Sequence, residues 1–122
     1  MELKTKIYLL DDEGEKFMGI GVLWLLNEVA KTQSLHKAAS NLSISYSKAF
    51  NMVKNLEKTI GKEVLARKKG GASREGATLT EFGKSFVTLY DEFQKKAKES
   101  TLIPYQEFKD KLCVLMEEKD HE

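Results

Sequence analysis

Two amphipathic helical patterns follow one another between residues 34 and 61 of this sequence. In the first, Ser34 can cap a helix whose apolar residues recur at i, i+3, i+4 and i+7: Leu35, Ala38, Ala39 and Leu42. In the second, Ser45 can cap a helix that Gly61 ends, with an apolar side made of Tyr46, Ala49, Phe50, Val53, Leu56 and Ile60. Only Ser43 and Ile44 separate the two patterns. The spacing predicts a helix-turn-helix unit, because two helices joined by so short a turn must pack against each other.

The side of the second helix that faces away from this core is polar. Its residues are Ser45, Ser47, Lys48, Asn51, Lys54, Asn55 and Lys58. Asn can pair bidentately with adenine, Lys can reach guanine acceptors or phosphates, and Ser hydroxyls can contact phosphates or base edges. An ordinary solvated helix surface has a similar composition, so this face alone does not distinguish a DNA-reading surface from a solvated one.

The distribution of charge favours a polyanion-binding surface. The chain has a formal net charge of only +1. Residues 31–76, however, include ten Lys/Arg and three Asp/Glu, a net charge of +7, which leaves −6 for the remainder. No Asp or Glu occurs between Ala30 and Leu56, whereas ordinary exposed helices mix both signs. A basic middle between acidic flanks is typical of nucleic-acid binding.

A basic hairpin is predicted directly after the two helices. Val64–Arg67 and Ala77–Leu79 are strand-like, and a Gly-rich segment joins them. The basic residues of this region are Arg67, Lys68, Lys69 and Arg74. Beside a helix in the major groove, such a hairpin can follow the phosphate backbone or enter the minor groove. The alternatives are a surface loop with incidental charge and a nucleotide-binding loop, but the Gly-Lys-Ser/Thr order of the latter is missing.

The remaining patterns complete a mainly α (α+β) fold. Leu3–Leu10 is typical of a short N-terminal strand. Gly19–Lys31 is typical of a buried helix, because it is apolar around most of its circumference, and this helix could also face a second chain. Thr80 can cap a helix over Glu81–Lys98, and Pro104 fits the first turn of a last, amphipathic helix. We therefore predict a winged helix-turn-helix with a short N-terminal strand, a β-hairpin wing and C-terminal dimerisation helices.

Aromatic residues on two of the helices predict a contact between copies of the chain. Trp24 and the stripe Phe82, Phe86, Tyr90 and Phe93 could line a cofactor pocket, but stripes at this spacing more often form a core or a subunit interface. Paired half-sites on DNA also need two recognition helices on a two-fold axis. We expect a homodimer, with a DNA-binding domain over residues 1–99 and a helix over 100–122 for dimerisation or docking.

Residue spacing argues against several other kinds of site. His36 and His121 are far apart and Cys113 has no partner, so we expect no zinc site, no internal disulfide and no cysteine nucleophile. The acidic cluster over residues 11–15 lacks the alternating ligands of a calcium loop. We predict no cofactor and no catalytic site, so the chain should not be an enzyme. The lone cysteine and the lack of a long apolar stretch predict a soluble protein of the cytoplasm, with no membrane partner.

Four motifs, taken in order, resemble the N-terminal domain of ModE-type, molybdate-responsive transcription regulators. They are Ser34–Ala39, Ser45–Phe50, Leu65–Arg67 and Gly70–Gly83. The related LysR-type regulators share the looser helix-turn-helix pattern. The resemblance covers roughly Leu3 to Lys98 and implies a dimeric winged repressor or activator. In ModE-type regulators oxyanion-binding domains follow the winged domain, whereas this sequence ends about twenty residues after it. Molybdate sensing therefore does not carry over from the resemblance, and any small-molecule effector is unknown.

The predicted function is sequence-specific binding of duplex DNA by a transcriptional regulator. We expect four residues of the second helix near the bases: Ser45, Ser47, Lys48 and Asn51. Phosphate contacts are expected from Ser34, Tyr46, Lys54, Arg67, Lys68, Lys69 and Arg74. The alternative is a winged-helix adaptor that binds proteins and not DNA, because a fold alone does not decide function.

Overall fold

A computed structural model describes residues 1–68 and 76–120, without the side chains of Lys68, Lys119 and Asp120. Along the chain the elements are β1 (Tyr8–Leu10), β2 (Lys16–Gly19), α1 (Ile20–Thr32), α2 (Leu35–Asn41), α3 (Tyr46–Ile60), β3 (Leu65–Lys68), β4 (Gly76–Leu79), α4 (Glu81–Glu99) and α5 (Leu102–Asp120). Two compact units are present, one over residues 7–91 and one over residues 1–6 and 92–122. The predicted mainly α (α+β), winged helix-turn-helix fold is confirmed.

The N-terminal strand is shorter than predicted, and it has a partner that the sequence reading missed. Residues 3–7 are not in a strand; β1 begins at Tyr8 and pairs antiparallel with β2. Between them the Asp11 carboxylate accepts hydrogen bonds from the backbone N–H groups of Glu13 and Glu15, both at 2.9 Å. Gly14 has a φ of 84°, which glycine adopts without steric cost. The acidic cluster is therefore the turn of a hairpin.

Helix α1 is the centre of the core, and one side of it is exposed. Five of its side chains are buried: Val22, Leu23, Leu25, Leu26 and Val29. Trp24 instead leaves 55% of its surface exposed, because it lies on the side of the helix that no other described element covers fully. The helix ends at Gln33, which has a left-handed φ of 56° and donates its N–H to the Val29 carbonyl at 2.8 Å.

The helix-turn-helix forms as predicted from its caps and small residues. The Ser34 hydroxyl accepts from the N–H of Lys37 at 3.1 Å, and that of Ser45 accepts from the N–H of Lys48 at 3.0 Å. Both bonds satisfy N–H groups that a helix start leaves without a partner. Six side chains make the shared core of these two helices: Leu35, Ala38, Ala39, Ala49, Val53 and Leu56, all buried. Gly61 ends α3 at a φ of 81°.

Strands β3 and β4, which together we call the wing, form an antiparallel pair with Leu65 opposite Leu79 and Arg67 opposite Ala77. Helix α4 begins directly after β4, and the Thr80 hydroxyl accepts from the N–H of Gly83 at 2.9 Å. A Cβ at Gly83 would collide with the carbonyl oxygen of Val64, so glycine allows the backbone approach. None of the helices in residues 1–68 and 76–120 is long and apolar enough to cross a membrane.

Candidate nucleic-acid interface

One side of α3 is exposed along the whole helix and has no acidic residue. It presents Ser47, Lys48, Asn51, Lys54, Asn55 and Lys58. The side chains of the other side, Ala49, Val53 and Leu56, are buried in the core and hold the helix in place. The sole acid of α3, Glu57, is half-buried at the edge of this surface. A cationic and amide-bearing helix face of this length has the dimensions and donors that the major groove accepts.

Tyr46 lies at the start of α3 and bridges the two helices of the motif. Its ring stacks on that of His36, with centroids 3.8 Å apart and planes inclined by 14°. Its centroid is also 6.2 Å from that of Phe50. Tyr46 is half-buried, so the ring packs while part of the residue stays in contact with solvent. Tyr and His at helix starts thereby fix the relative rotation of α2 and α3.

Phe50 joins the cations of α3 to those of the wing. The Arg67 guanidinium carbon lies 4.8 Å from the centroid of the Phe50 ring, and the Lys54 ammonium lies 5.6 Å from it. Both distances are within the range of cation–π attraction. Because one ring is close to both cations, α3 and β3 present their positive charges on the same surface.

Glu57 bonds α3 to the start of the wing. Its Oε2 accepts from the backbone N–H of Val64 at 2.9 Å and from that of Leu65 at 3.3 Å. Lys54 lies 3.6 Å from its other carboxylate oxygen. Sequence reasoning missed this role, although Glu57 is the first acid after the acid-free stretch and the single acid of α3. The carboxylate thus aligns β3 with the exposed face of the helix.

The second strand of the wing is bonded to the end of α1. The N–H of Ala77 donates to the carbonyl of Gln33 at 3.0 Å, and the N–H of Thr80 donates to that of Val64, also at 3.0 Å. Each wing strand is therefore attached to a different helix. The base of the wing has a defined position beside α3.

Most of the sequence-predicted residues lie together on this surface. Ser45, Ser47, Lys48, Asn51 and Lys54 follow one side of α3, and Arg67 is exposed next to Phe50. Ser34 is half-buried, and its hydroxyl is occupied as the cap of α2. Lys69 and Arg74 lie outside the described residues, as does the side chain of Lys68. Within the described part of the chain, no three His, Cys, Asp or Glu side chains are grouped as a metal site.

The sequence model of the bacterial regulatory helix-turn-helix proteins of the lysR family matches residues 21–84, more than half of the chain. The chain belongs to this lysR family. The matched residues run from α1 to the start of α4 and include the whole described surface. The resemblance inferred from the four motifs is confirmed.

Two curated proteins are similar to this lysR-family chain. The transcriptional regulator ModE of Haemophilus influenzae is 31% identical over 67 residues, which cover 55% of this chain and 26% of that protein. The DNA-binding transcriptional dual regulator ModE of Escherichia coli K12 is 30% identical over 76 residues, which cover 60% of this chain and 29% of that protein. The matched region thus spans less than a third of the length of these relatives.

Solved structures agree with the lysR-family fold. The CbnR_DBD–DNA complex has a TM-score of 0.56 and 25% sequence identity, covering 68% of this chain and 90% of that one. The BenM_DBD/catB site 1 DNA complex has a TM-score of 0.53 and 25% identity, covering 69% and 85%. In both, the similarity extends over most of the other chain, so the winged unit is shared as a whole.

Proposed function

We propose that this chain is a transcriptional regulator that binds duplex DNA sequence-specifically, with α3 in the major groove and the wing along the phosphates. The observation on which this depends is the acid-free face of α3, which Phe50 and Glu57 join to the wing. The similarity to domains that were solved with DNA supports the proposal. Its function is binding and not catalysis, and it acts where the bacterial chromosome lies, in the cytoplasm.

The proposed roles divide by position on α3. Side chains near the start of the helix and along its centre contact base edges: Ser45, Ser47, Lys48 and Asn51. Those on the flanks contact phosphates: Ser34, Tyr46, Lys54 and Arg67. The sequence adds Lys68, Lys69 and Arg74 to the proposed phosphate contacts. Phosphate contacts set the register of the helix, and base contacts provide the sequence preference.

We also propose that the regulator is a homodimer, with a DNA-binding domain over residues 1–99 and a dimerisation helix over 100–122. Large apolar side chains of α5 are exposed in the single chain, namely Leu102, Ile103, Phe108, Val114, Leu115 and Met116. An exposed apolar surface of this extent is typical of an interface. A two-fold axis would place two α3 helices on successive turns of one duplex face.

The test is fluorescence anisotropy with a generic duplex DNA across a range of salt concentrations. We expect a steep fall in affinity, equivalent to about four or more released counterions. Lys6→Ala, which removes an exposed lysine outside α3, the wing and α5, serves as the charge control for the variants below. No binding at low salt would refute the proposal and favour the protein-binding adaptor.

The division of roles needs an operator, selected from random duplexes with the wild-type protein. Lys48→Ala and Asn51→Ala should lose preference for that operator, each at a cost of about 1–3 kcal/mol. Arg67→Ala should weaken binding to the operator and to generic DNA alike. Equal losses on both kinds of DNA in all three variants would contradict the division.

A further inference from the structure

A cleft lies within the unit of residues 7–91, on the side of α3 that borders α1 and β2. Its volume is about 630 Å³, which is in the range of small-molecule sites, about 300–1,000 Å³. The apolar part of its wall consists of Phe17, Val22, Trp24, Leu42, Ile44 and Met52. Trp24 is the exposed aromatic residue of α1 described above. The fold therefore leaves an indole ring at an open, mostly apolar cavity, where it packs only in part.

The charged residues that line the cleft are of one sign. They are Lys48 of α3 and Lys16 of β2, whose ammonium also lies 5.2 Å from the centroid of the Tyr8 ring, and no Asp or Glu is among the described lining residues. The polar neighbours Asn41, Ser43 and Asn55 offer amide and hydroxyl groups. The wall is fixed on one side, because the Asn55 amide donates to the Lys16 carbonyl at 3.4 Å. An apolar cavity with only cationic charge fits an organic anion that has an apolar body.

We propose that this cleft binds a small aromatic carboxylate and that the bound molecule weakens DNA binding. The aromatic ring lies against Trp24 and Phe17, and the carboxylate lies toward Lys16 and Lys48. The effect on DNA binding rests on the proposed function, in which Lys48 contacts a base. A ligand that engages its ammonium withdraws it from DNA.

The chemistry of the wall decides in favour of this occupant. A nucleic-acid backbone is excluded from the cavity. Burying its phosphates against six apolar side chains costs more desolvation free energy than the attraction to two lysines provides. A fully apolar molecule would leave the lysines unused. Aromatic rings are favoured over alkyl chains because two lining residues, Trp24 and Phe17, are aromatic and Met52 offers a polarizable thioether.

The first measurement uses the single tryptophan of the chain as a reporter in ¹H–¹⁵N NMR spectra of the intact protein. Titration with 2-naphthoate should shift the indole N–H signal of Trp24 in a saturable manner. The neutral analogue 2-naphthalenemethanol should bind roughly tenfold more weakly, because it lacks the charge-assisted bonds. Lys16→Gln should lower the affinity for naphthoate and leave that for the alcohol unchanged.

A blocking variant with a matched control is available at Gly21. A Cβ there would lie 4.0 Å from the terminal methyl carbon of Met52, so Gly21→Ala adds a methyl group without a clash. Gly21→Leu extends into the cleft and should abolish the naphthoate shift. Thermal unfolding of both variants checks that they fold. Naphthoate should raise the Kd for DNA several-fold in the wild type and in Gly21→Ala, but not in Gly21→Leu.

The outcomes separate this inference from the proposed function. No saturable indole shift in a protein that binds DNA overturns the cleft proposal and leaves the DNA-binding function standing. Equal affinity for acid and alcohol overturns the anion assignment. Saturable binding with an unchanged Kd for DNA overturns the regulatory half. An indole signal that moves with protein concentration alone shows that a second copy covers Trp24, which also overturns the proposal. If the protein binds naphthoate but does not bind DNA, the site is supported and the proposed function fails.

Discussion

Replacing Glu57 by alanine should destabilise the domain and weaken the attachment of the wing to α3. In the native structure one carboxylate oxygen accepts from two backbone N–H groups, those of Val64 and Leu65. Both donors belong to buried residues, so water cannot readily replace the lost acceptor. The Glu57 side chain itself is only 11% exposed. The cost therefore comes chiefly from two donors that are left without partners.

The magnitude follows from the number of bonds. A buried donor without a partner costs about 1–3 kcal/mol, so two of them predict about 2–4 kcal/mol for Glu57→Ala once some local relaxation is allowed. The contact with Lys54 adds little, because that ammonium is largely exposed. Glu57→Gln keeps an oxygen that can accept both bonds but without the negative charge. Its cost should be about half as large.

Urea denaturation followed by circular dichroism measures these free energies of unfolding. Glu63→Gln, at an exposed acid two residues before the wing, removes the same charge and should change stability by less than about 0.5 kcal/mol. Anisotropy at matched salt then compares Glu57→Ala and Glu57→Gln with this control on DNA. A Glu57→Ala protein as stable as the control, or one that binds DNA as tightly as the control, would refute the anchoring role of the carboxylate.

Three further predictions concern other local features. Gly83→Ala forces a Cβ into the Val64 carbonyl and should cost about 1–3 kcal/mol, seen as a lower melting temperature; an unchanged value would contradict the close approach. Ser45→Ala removes the acceptor for the N–H of Lys48 and should cost about 1 kcal/mol, whereas Ser45→Asp should retain stability but weaken DNA binding through charge. Gly61→Ala, at a φ of 81°, should cost about 1 kcal/mol in urea denaturation, and a gain in stability would show that α3 does not end there.

The parts of the fold that could be predicted from the sequence are those that depend on neighbouring residues. The caps Ser34, Ser45 and Gly61 act within one helical turn, so the ends of α2 and α3 follow from the sequence. Strand β2 could not be predicted, because Lys16–Gly19 is short and becomes a strand only by pairing across the Asp11 turn. The exposure of Trp24 in the single chain depends on which elements pack beside α1, so its apolar character alone could not decide between a place in the core and one at an interface.

The same distinction holds for the candidate site. The polar face of α3 could be predicted, because helical periodicity places its residues on one side. The contribution of Glu57 could not, since its partners are backbone N–H groups on a separate strand and leave no trace in side-chain composition. The ring of Phe50 was predicted as core, and its proximity to Arg67 emerges only when β3 is placed beside α3.

The attachment of the wing at its base has a consequence for how such regulators diverge. Its strands are held by Glu57, by the Gln33 carbonyl and by the Val64–Thr80 bond, none of which uses a side chain between the strands. Substitutions or insertions between residues 68 and 76 therefore need not disturb these hydrogen bonds. Descendants of one ancestor can therefore vary this segment while they inherit the same scaffold, so its sequence can change separately from folding.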